Sequence, residues 1–517
     1  MVLLSDALSC KRSTQLLSSS YEPSHWPKQH IGGIHSNMDA KSELLTELAQ
    51  WGLPLDETAQ LGQRLEGFYD RFRAYLRTQT RDTSEYGFCY ISGLLRMETK
   101  RNMANIGRKT DVPEQNMQHF ISESPWAGRE LITAVQDDIK QHPEFQVGAI
   151  LIVDESPDEK AGEHSAGAGR QHNGRLGKVE MSQVGVFGAL VTPRVNVWID
   201  GELYWQKHWF EDAYAERREK VGFPETRTFQ TKPELAWQII QRAQANQVPF
   251  VAVDMDDLYG RNAPLRQRLD AAGLEYYGDV PANTVVYLDK PKIVYPKTKR
   301  GKRSKRPQII ATQRYEVREL LHHPSLERAT LTLRPNERGM LVAQFARCRV
   351  WTVHDAKPRQ EWLLIRQDDH RVTYVLSNAA EDTPLETMAW RKSHRYFIER
   401  SNQDGKSEFG WDEFQAIKYR AWEHQLALTI LASWFVAETR LDWMTRFERD
   451  PVLLEQYEVE VLPLLSVGNV RELLRAAMPL PQLSTQEAAA LVVKHLVNRT
   501  RSRKSRLQGQ REHVPEI

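Results

Sequence analysis

Apolar residues recur at helical spacing from Lys41 to about Gln146. Leu44, Leu45, Leu48 and Trp51 are followed by Leu61, Leu65, Phe68 and Phe72, and this period predicts an all-helical N-terminal region. Within it, residues 102–120 read as a short helix, a turn at Val112-Pro113 and a second helix from about Glu114. Helix-turn-helix readers of DNA and plain packing hairpins share that pattern. The period then changes. Short β-branched runs at 147–153, 183–191 and 195–199 predict three successive strands. An amphipathic helix over about 233–244 and a fourth apolar run at 248–253 follow, the latter ending in Asp254, Asp256 and Asp257. Alternating segments at 330–333, 340–350, 362–366 and 372–376 predict a β meander set apart from the first sheet, and residues 394–443 return to helix. Strands, a helix and a further strand make an α+β order.

Composition narrows the class. At 517 residues the chain is long enough for three or so folding units at about 150 residues each. Hydrophobic residues at 40% and charged residues at 27% fit a globular chain and disfavour wholesale disorder or fibrous repeats. Cys10, Cys89 and Cys348 are odd in number and far apart, which excludes a disulfide framework and paired-cysteine zinc sites and suits a reducing cytoplasm. No apolar run reaches membrane-spanning length, the longest being 426–437, and the N-terminus lacks the layout of an export signal. Residues 1–40, rich in Ser, His, Gly and Pro without period, are expected to be a poorly ordered leader, with Met38 an alternative start. The net charge of +2 hides 70 basic and 68 acidic residues, so any electrostatic message lies in clusters.

Three segments carry chemistry. The strand GAILIV delivers Asp154 and Glu155 at its end, where a carboxylate either ligates a metal or caps a turn. Asp256 precedes Tyr259-Gly260 directly after the fourth strand, where it either ligates or caps the helix from about Pro264. In HRYFIERSNQDGKSEFGWDEF, Arg395, Glu399 and Lys406 stand four and then seven residues apart, which puts them on one helix face, functional or merely solvated. Taken together, two strand-borne aspartates and a late helical glutamate are what an RNase H-like nuclease core requires. Such carboxylates can converge on two divalent ions that activate the attacking oxygen and stabilise the leaving one.

At this point the chain resembles bacterial insertion-sequence transposases of the DDE superfamily, related to those with a Tyr-Arg-Glu-Lys signature. The resemblance runs from about Glu144 to Trp434 and rests on three blocks. These are DESPDEKAGEHSAGAGRQHNGRLGKVEMSQVGV; LYWQKHW with FQTKPELAWQIIQRAQANQVPFVAVDMDDLYGRN; and Arg395, Glu399 and Lys406 matching Arg-x3-Glu-x6-Lys. It implies catalytic, metal-holding Asp154, Asp256 and Glu399, with Arg395 and Lys406 contacting DNA, and Lys160 and Arg170 of the first block beside them. The signature's tyrosine falls at Lys392, so its role is missing or passes to Tyr396. Asp254 competes with Asp256, which the Tyr-Gly spacing favours; Glu155, Asp257 and Glu408 lie near enough to be mistaken for ligands.

Asp256 and Glu399 are 143 positions apart, so the β meander is expected to be an insertion before the catalytic helix. Its leading run, KTKRGKRSKR at 297–306, holds Lys297, Lys299, Arg300, Lys302, Arg303, Lys305 and Arg306 without an acid: a solvated loop, or a tracker of DNA phosphates. The basic tail at 499–506 is expected to act nonspecifically. His164 and His172 flank a polar loop without a metal-ligand pattern, and Trp205 and Trp209 are either core aromatics or stacking platforms.

The expected architecture is therefore α+β, an RNase H-like mixed-sheet core with an inserted β domain and an N-terminal helical domain. Expected boundaries are a leader (1–40), a helical DNA-binding domain (41–146), the first part of the core (147–290), the inserted β-rich domain (291–390), the catalytic and following helices (391–480), and a C-terminal helix with its basic tail (481–517). The resemblance implies a transposase that cuts transposon ends and joins them to target DNA using two Mg²⁺ ions, with Mn²⁺ able to substitute. Its partners would be double-stranded DNA, as terminal inverted repeats and target, and a second copy of the chain, in the cytoplasm at the nucleoid and away from membranes. The alternatives are a catalytically silent DNA-binding descendant and an RNase H-like nuclease without strand transfer.

Overall fold

The computed structural model describes residues 55–446, except 174–176, 297–306, 311–312, 337–338 and 369–370, together with 466–481 and part of 484–504. The leader, the basic run at 297–306 and residues 502, 505 and 506 of the basic tail lie outside the described residues. From Leu55 on, the N-terminal part is helical as its period predicts, with α1 (Leu61–Asp70), α2 (Ser84–Arg96), α3 (Met103–Lys109), α4 (Glu114–Ser122) and α5 (Gly128–Gln141), while Leu44, Leu45, Leu48 and Trp51 lie outside the described residues. The Asn102 side chain caps α3, and Met117, Phe120 and Ile121 of α4 are buried, so the α3–α4 hairpin is packed into the body on one side.

A mixed sheet follows: β1 (Ile150–Glu159), β2 (Gly169–Asn173), β3 (Lys178–Val191) and β4 (Asn196–Leu203), then α6 (Lys232–Ala245), β5 (Ala252–Met255), the single turn α7 (Asp257–Gly260), α8 (Ala263–Ala271) and β6 (Tyr276–Val280). β1 and β3 pair antiparallel, as do β3 and β4, whereas β5 and β6 run parallel to β1. The order β4-β3-β1-β5-β6 is an RNase H-like sheet. Ile150 to Val153 and Ala252 to Met255 are buried throughout because helices cover both faces, which is why these strands read as unbroken apolar runs.

The meander is not set apart from this sheet. β7 (Glu327–Asn336), β8 (Gly339–His354), β9 (Lys357–Gln367) and β10 (Val372–Ser377) continue it, because β10 pairs antiparallel with β6 from Tyr374↔Val280 to Ser377↔Tyr277. An unpaired β6 edge would leave a row of backbone donors and acceptors exposed, and β10 satisfies them. The added strands also have a small core of their own around Val286, Val317, Val350, Leu363 and Leu376.

Helices α9 (Leu385–Ser393), α10 (Tyr396–Ser407), α11 (Tyr419–Arg446) and α12 (Val467–Ala477) complete the fold. α11 packs against α5, α4, α2 and β4, so one hydrophobic core runs from the N-terminal helices into the sheet. α10 is seated on β4: Trp198 Nε1 donates to Asn402 Oδ1 at 3.1 Å and Asn196 Nδ2 to Ser401 Oγ at 2.7 Å. Gly405 permits this approach, since a Cβ there would overlap the Trp198 ring. Buried Arg101, just before α3, donates to the Ser407 and Glu408 carbonyls, both at 2.7 Å, and so caps the far end of α10.

Candidate functional site

Three aspartates follow the last register row shared by three adjacent parallel strands. Val153 is in register with Met255, and Met255 with Gly278. The residues that follow that row are Asp154, Asp256 and Asp279, on the carboxyl side of the parallel strands, where open α/β folds place ligands, while β1 itself runs on to Glu159 beside β3. Asp154 and Asp256 are half-buried. Burial raises the Asp154 carboxyl to about 8, helped by the charges of Asp256 and Glu155 and opposed by Arg395. Burial raises Asp256 to about 6, with Glu155 adding to the shift and Arg395 opposing it. Asp256 also caps α7, accepting from the backbone N–H of Leu258 at 2.9 Å and of Tyr259 at 3.2 Å, so its capping and charged roles coexist in one side chain.

Asp254 lies on the same strand but is fully buried, and Lys392 Nζ from α9 donates to its Oδ1 at 2.7 Å. The lysine at the signature's tyrosine position is thus a buried cation under the sheet end. Tyr396 is 54% exposed on the first turn of α10 and does not take the place of Lys392 in that buried pair. Glu155 is held by Lys232 Nζ at 2.9 Å and Tyr259 Oη at 2.7 Å. Gly260 completes the Tyr-Gly pair for a steric reason: α7 lies so close to β6 that a Cβ on Gly260 would overlap the Asp279 backbone.

Arg395, at the start of α10, has Nη1 3.5 Å from Asp279 Oδ2 and Nη2 3.9 Å from Glu399 Oε1. Burial works against its charge, but the carboxylates of Asp279, Asp154, Asp254 and Asp256 outweigh it and hold the guanidinium above its ordinary value. The Glu399 side chain is 61% exposed. Lys406 donates to the Pro157 carbonyl at 2.6 Å, which ties α10 to β1. Lys160 differs from its expected place at a DNA surface. Its side chain is 8% exposed, paired with Asp158 and donating to the Phe414 carbonyl at 3.1 Å, because β1 continues past Asp154 and carries it inward. Arg170 is exposed on β2. Trp205 and Trp209 are buried and pack edge to face, with Trp209 Nε1 donating to the Ala168 carbonyl at 3.1 Å, so they are core aromatics. His164 is exposed and His172 lies in β2.

A divalent ion fits the Asp154–Asp256 pair: two partly buried carboxyls raised by burial and by like charge would be relieved by a cation, and Mg²⁺ needs few carboxylates. Among the described residues, no three His, Cys, Asp or Glu side chains stand close enough together to hold a metal ion, and Glu399 does not join the two aspartates. Sequence reasoning missed Asp279. Its signal was the short segment YYGDV, in which a central glycine and the absence of alternation hid a strand.

Residues 68–337 match the family model described as DDE superfamily endonuclease, a stretch that contains Asp154, Asp256 and Asp279 and ends before Glu399. The chain is also 26% identical over 313 residues to a probable transposase for insertion sequence element IS701 of Microchaete diplosiphon, covering 59% of this chain and 70% of that protein.

Proposed function

Because the chain belongs to the DDE superfamily endonucleases, we propose that it is an insertion-sequence transposase that cleaves transposon ends and joins the freed 3′ hydroxyl to target DNA. The observation that carries this reading is that Asp154 and Asp256 follow the same, last register row of the adjacent parallel strands β1 and β5. In this reading Asp154 and Asp256 hold Mg²⁺, with Mn²⁺ able to substitute. Glu399 is the third carboxylate, its exposed side chain able to change rotamer when DNA docks. Two such ions, when bound, activate the attacking oxygen and stabilise the leaving one. Arg395 meets the scissile phosphate from the α10 side, and Lys406 fixes the helix to β1.

The substrate in this reading is double-stranded DNA bearing the terminal inverted repeats, and cutting at two ends calls for two copies of the chain. Among the described residues no helix is long and apolar enough to cross a membrane. The experiment is incubation with Mg²⁺ and DNA carrying the flanking inverted repeats. Specific nicking at the ends is expected. Asp154→Asn, Asp256→Asn and Glu399→Gln should each abolish it while leaving end binding in place, because phosphate contacts outside the site persist. A variant that cleaves at the normal rate removes its residue from the site.

A further inference from the structure

The register row that ends in Asp154 and Asp256 also ends in Asp279, whose carboxylate is engaged differently. Its Oδ1 lies 2.9 Å from Lys392 Nζ and its Oδ2 3.5 Å from Arg395 Nη1. Lys392 in turn reaches Asp254 at 2.7 Å. One strand-borne carboxylate thus takes hold of two cations on either side of the α9–α10 junction. The Asp279 backbone is closely covered by α7, which approaches it at Gly260. Asp254, Lys392 and Asp279 are all buried, and Arg395, with a side chain 23% exposed, is the outermost member of this chain of ion pairs.

Left to itself, the Arg395 guanidinium has competing acceptors. Asp154 and Asp256 both act on its charge, and Glu399 is 3.9 Å away. A bidentate arginine–carboxylate pair is among the strongest side-chain contacts. An arginine that collapsed onto Asp154 or Asp256 would occupy the oxygens a metal needs.

We propose that Asp279 is a positioning residue: it anchors Arg395 beside the Asp154–Asp256 pair, with Lys392 and Asp254 fixing its own orientation, so that the guanidinium faces incoming phosphate instead of closing on the aspartates. This rests on the reading of the site given above. Lys392, at the position where the signature has tyrosine, then belongs to the anchor and not to the DNA surface.

A double-substitution cycle on the full-length chain tests it, read in two ways: single-turnover cleavage of an inverted-repeat DNA end in Mg²⁺, and affinity for the same end in metal-free buffer. Asp279→Asn should slow cleavage by about ten- to a hundredfold, as loss of an orienting partner does. It should also weaken metal-free binding, and Arg395→Ala should do both. If Asp279 acts through Arg395, the double variant matches Arg395→Ala alone in both readouts. Effects that multiply, or an Asp279→Asn protein with normal rate and affinity, overturn the proposal. If Asp279→Asn does not fold, Asp279→Glu, which keeps a charge for Lys392 but displaces the acceptor of Arg395, goes through the same cycle with the same criteria. Asp154→Asn runs alongside: should it cleave normally, the site reading fails, while the metal-free binding cycle still decides whether Asp279 works through Arg395.

Discussion

Lys392 Nζ stands 2.7 Å from Asp254 Oδ1, and this buried pair separates Asp254 from Asp256, its neighbour two positions along the same strand face. Asp256→Asn is expected to eliminate Mg²⁺-dependent cleavage, since a neutral amide binds the ion poorly. Asp254→Asn leaves Lys392 with Asp279 and should cost stability, about 1–3 kcal/mol, with a smaller loss of rate. Lys392→Met strands two buried carboxylates and should cost about 3–5 kcal/mol. Chemical denaturation of the variants beside cleavage rates checks the order.

That distinction was not legible in the sequence. Alternation puts Asp254 and Asp256 on one face, and the residue that tells them apart lies 138 positions away on α9. The apolar strand ending in Asp154, the amphipathic α6 and the late helix with Arg395, Glu399 and Lys406 were legible because each carries a clear period. β6 was not, being five residues with a glycine at its centre, and without β6 the meander looked separate and nothing singled out Asp279. β2, GRQHN, was not legible either, because it holds no apolar residue and so no alternation.

In the proposed reading, protons and metal compete at the aspartate pair. Asp154 at about 8 and Asp256 at about 6 lie above the ordinary carboxylate value, so these groups favour the fold while protonated. That contribution is fully present below about pH 4 and is lost as pH rises through about 6 and then about 8. Asp154→Asn should therefore stabilise the metal-free protein by about 1–3 kcal/mol at pH 8.5 and by little at pH 4. Mn²⁺ affinity, measured calorimetrically, should rise with pH from 6 to 8 by up to about tenfold per unit for each proton displaced. Equal affinity at both ends of that range contradicts the pairing.

Gly405 lets α10 lie against Trp198. Gly405→Ala should force the helix off β4 at a cost of about 1–3 kcal/mol. Because α10 carries Glu399 and Arg395 caps its start, cleavage should fall more than end binding does. Melting temperature and rate measured on one preparation separate the two effects.

The basic run at 297–306 is flanked by two short strands, Lys292–Val294 and Gln308–Ile310, that pair antiparallel. If about six of its cations meet phosphates, affinity for any DNA should drop on the order of a thousandfold between 50 and 200 mM salt. Replacing the Lys and Arg residues with Gln should flatten that dependence; an unchanged slope means the run does not touch DNA.

The central claim, that Asp154 and Asp256 ligate the ion that supports DNA cleavage, is tested most directly by metal rescue. A cysteine thiolate is a soft ligand that Mg²⁺ rejects and Mn²⁺ tolerates better. Asp154→Cys and Asp256→Cys are predicted to be inactive on an inverted-repeat DNA end in Mg²⁺ and to regain measurable cleavage in Mn²⁺, while Asp254→Cys shows no such rescue. Cleavage by the Asp154 and Asp256 variants in Mg²⁺ at the wild-type rate, or rescue confined to Asp254→Cys, contradicts the account.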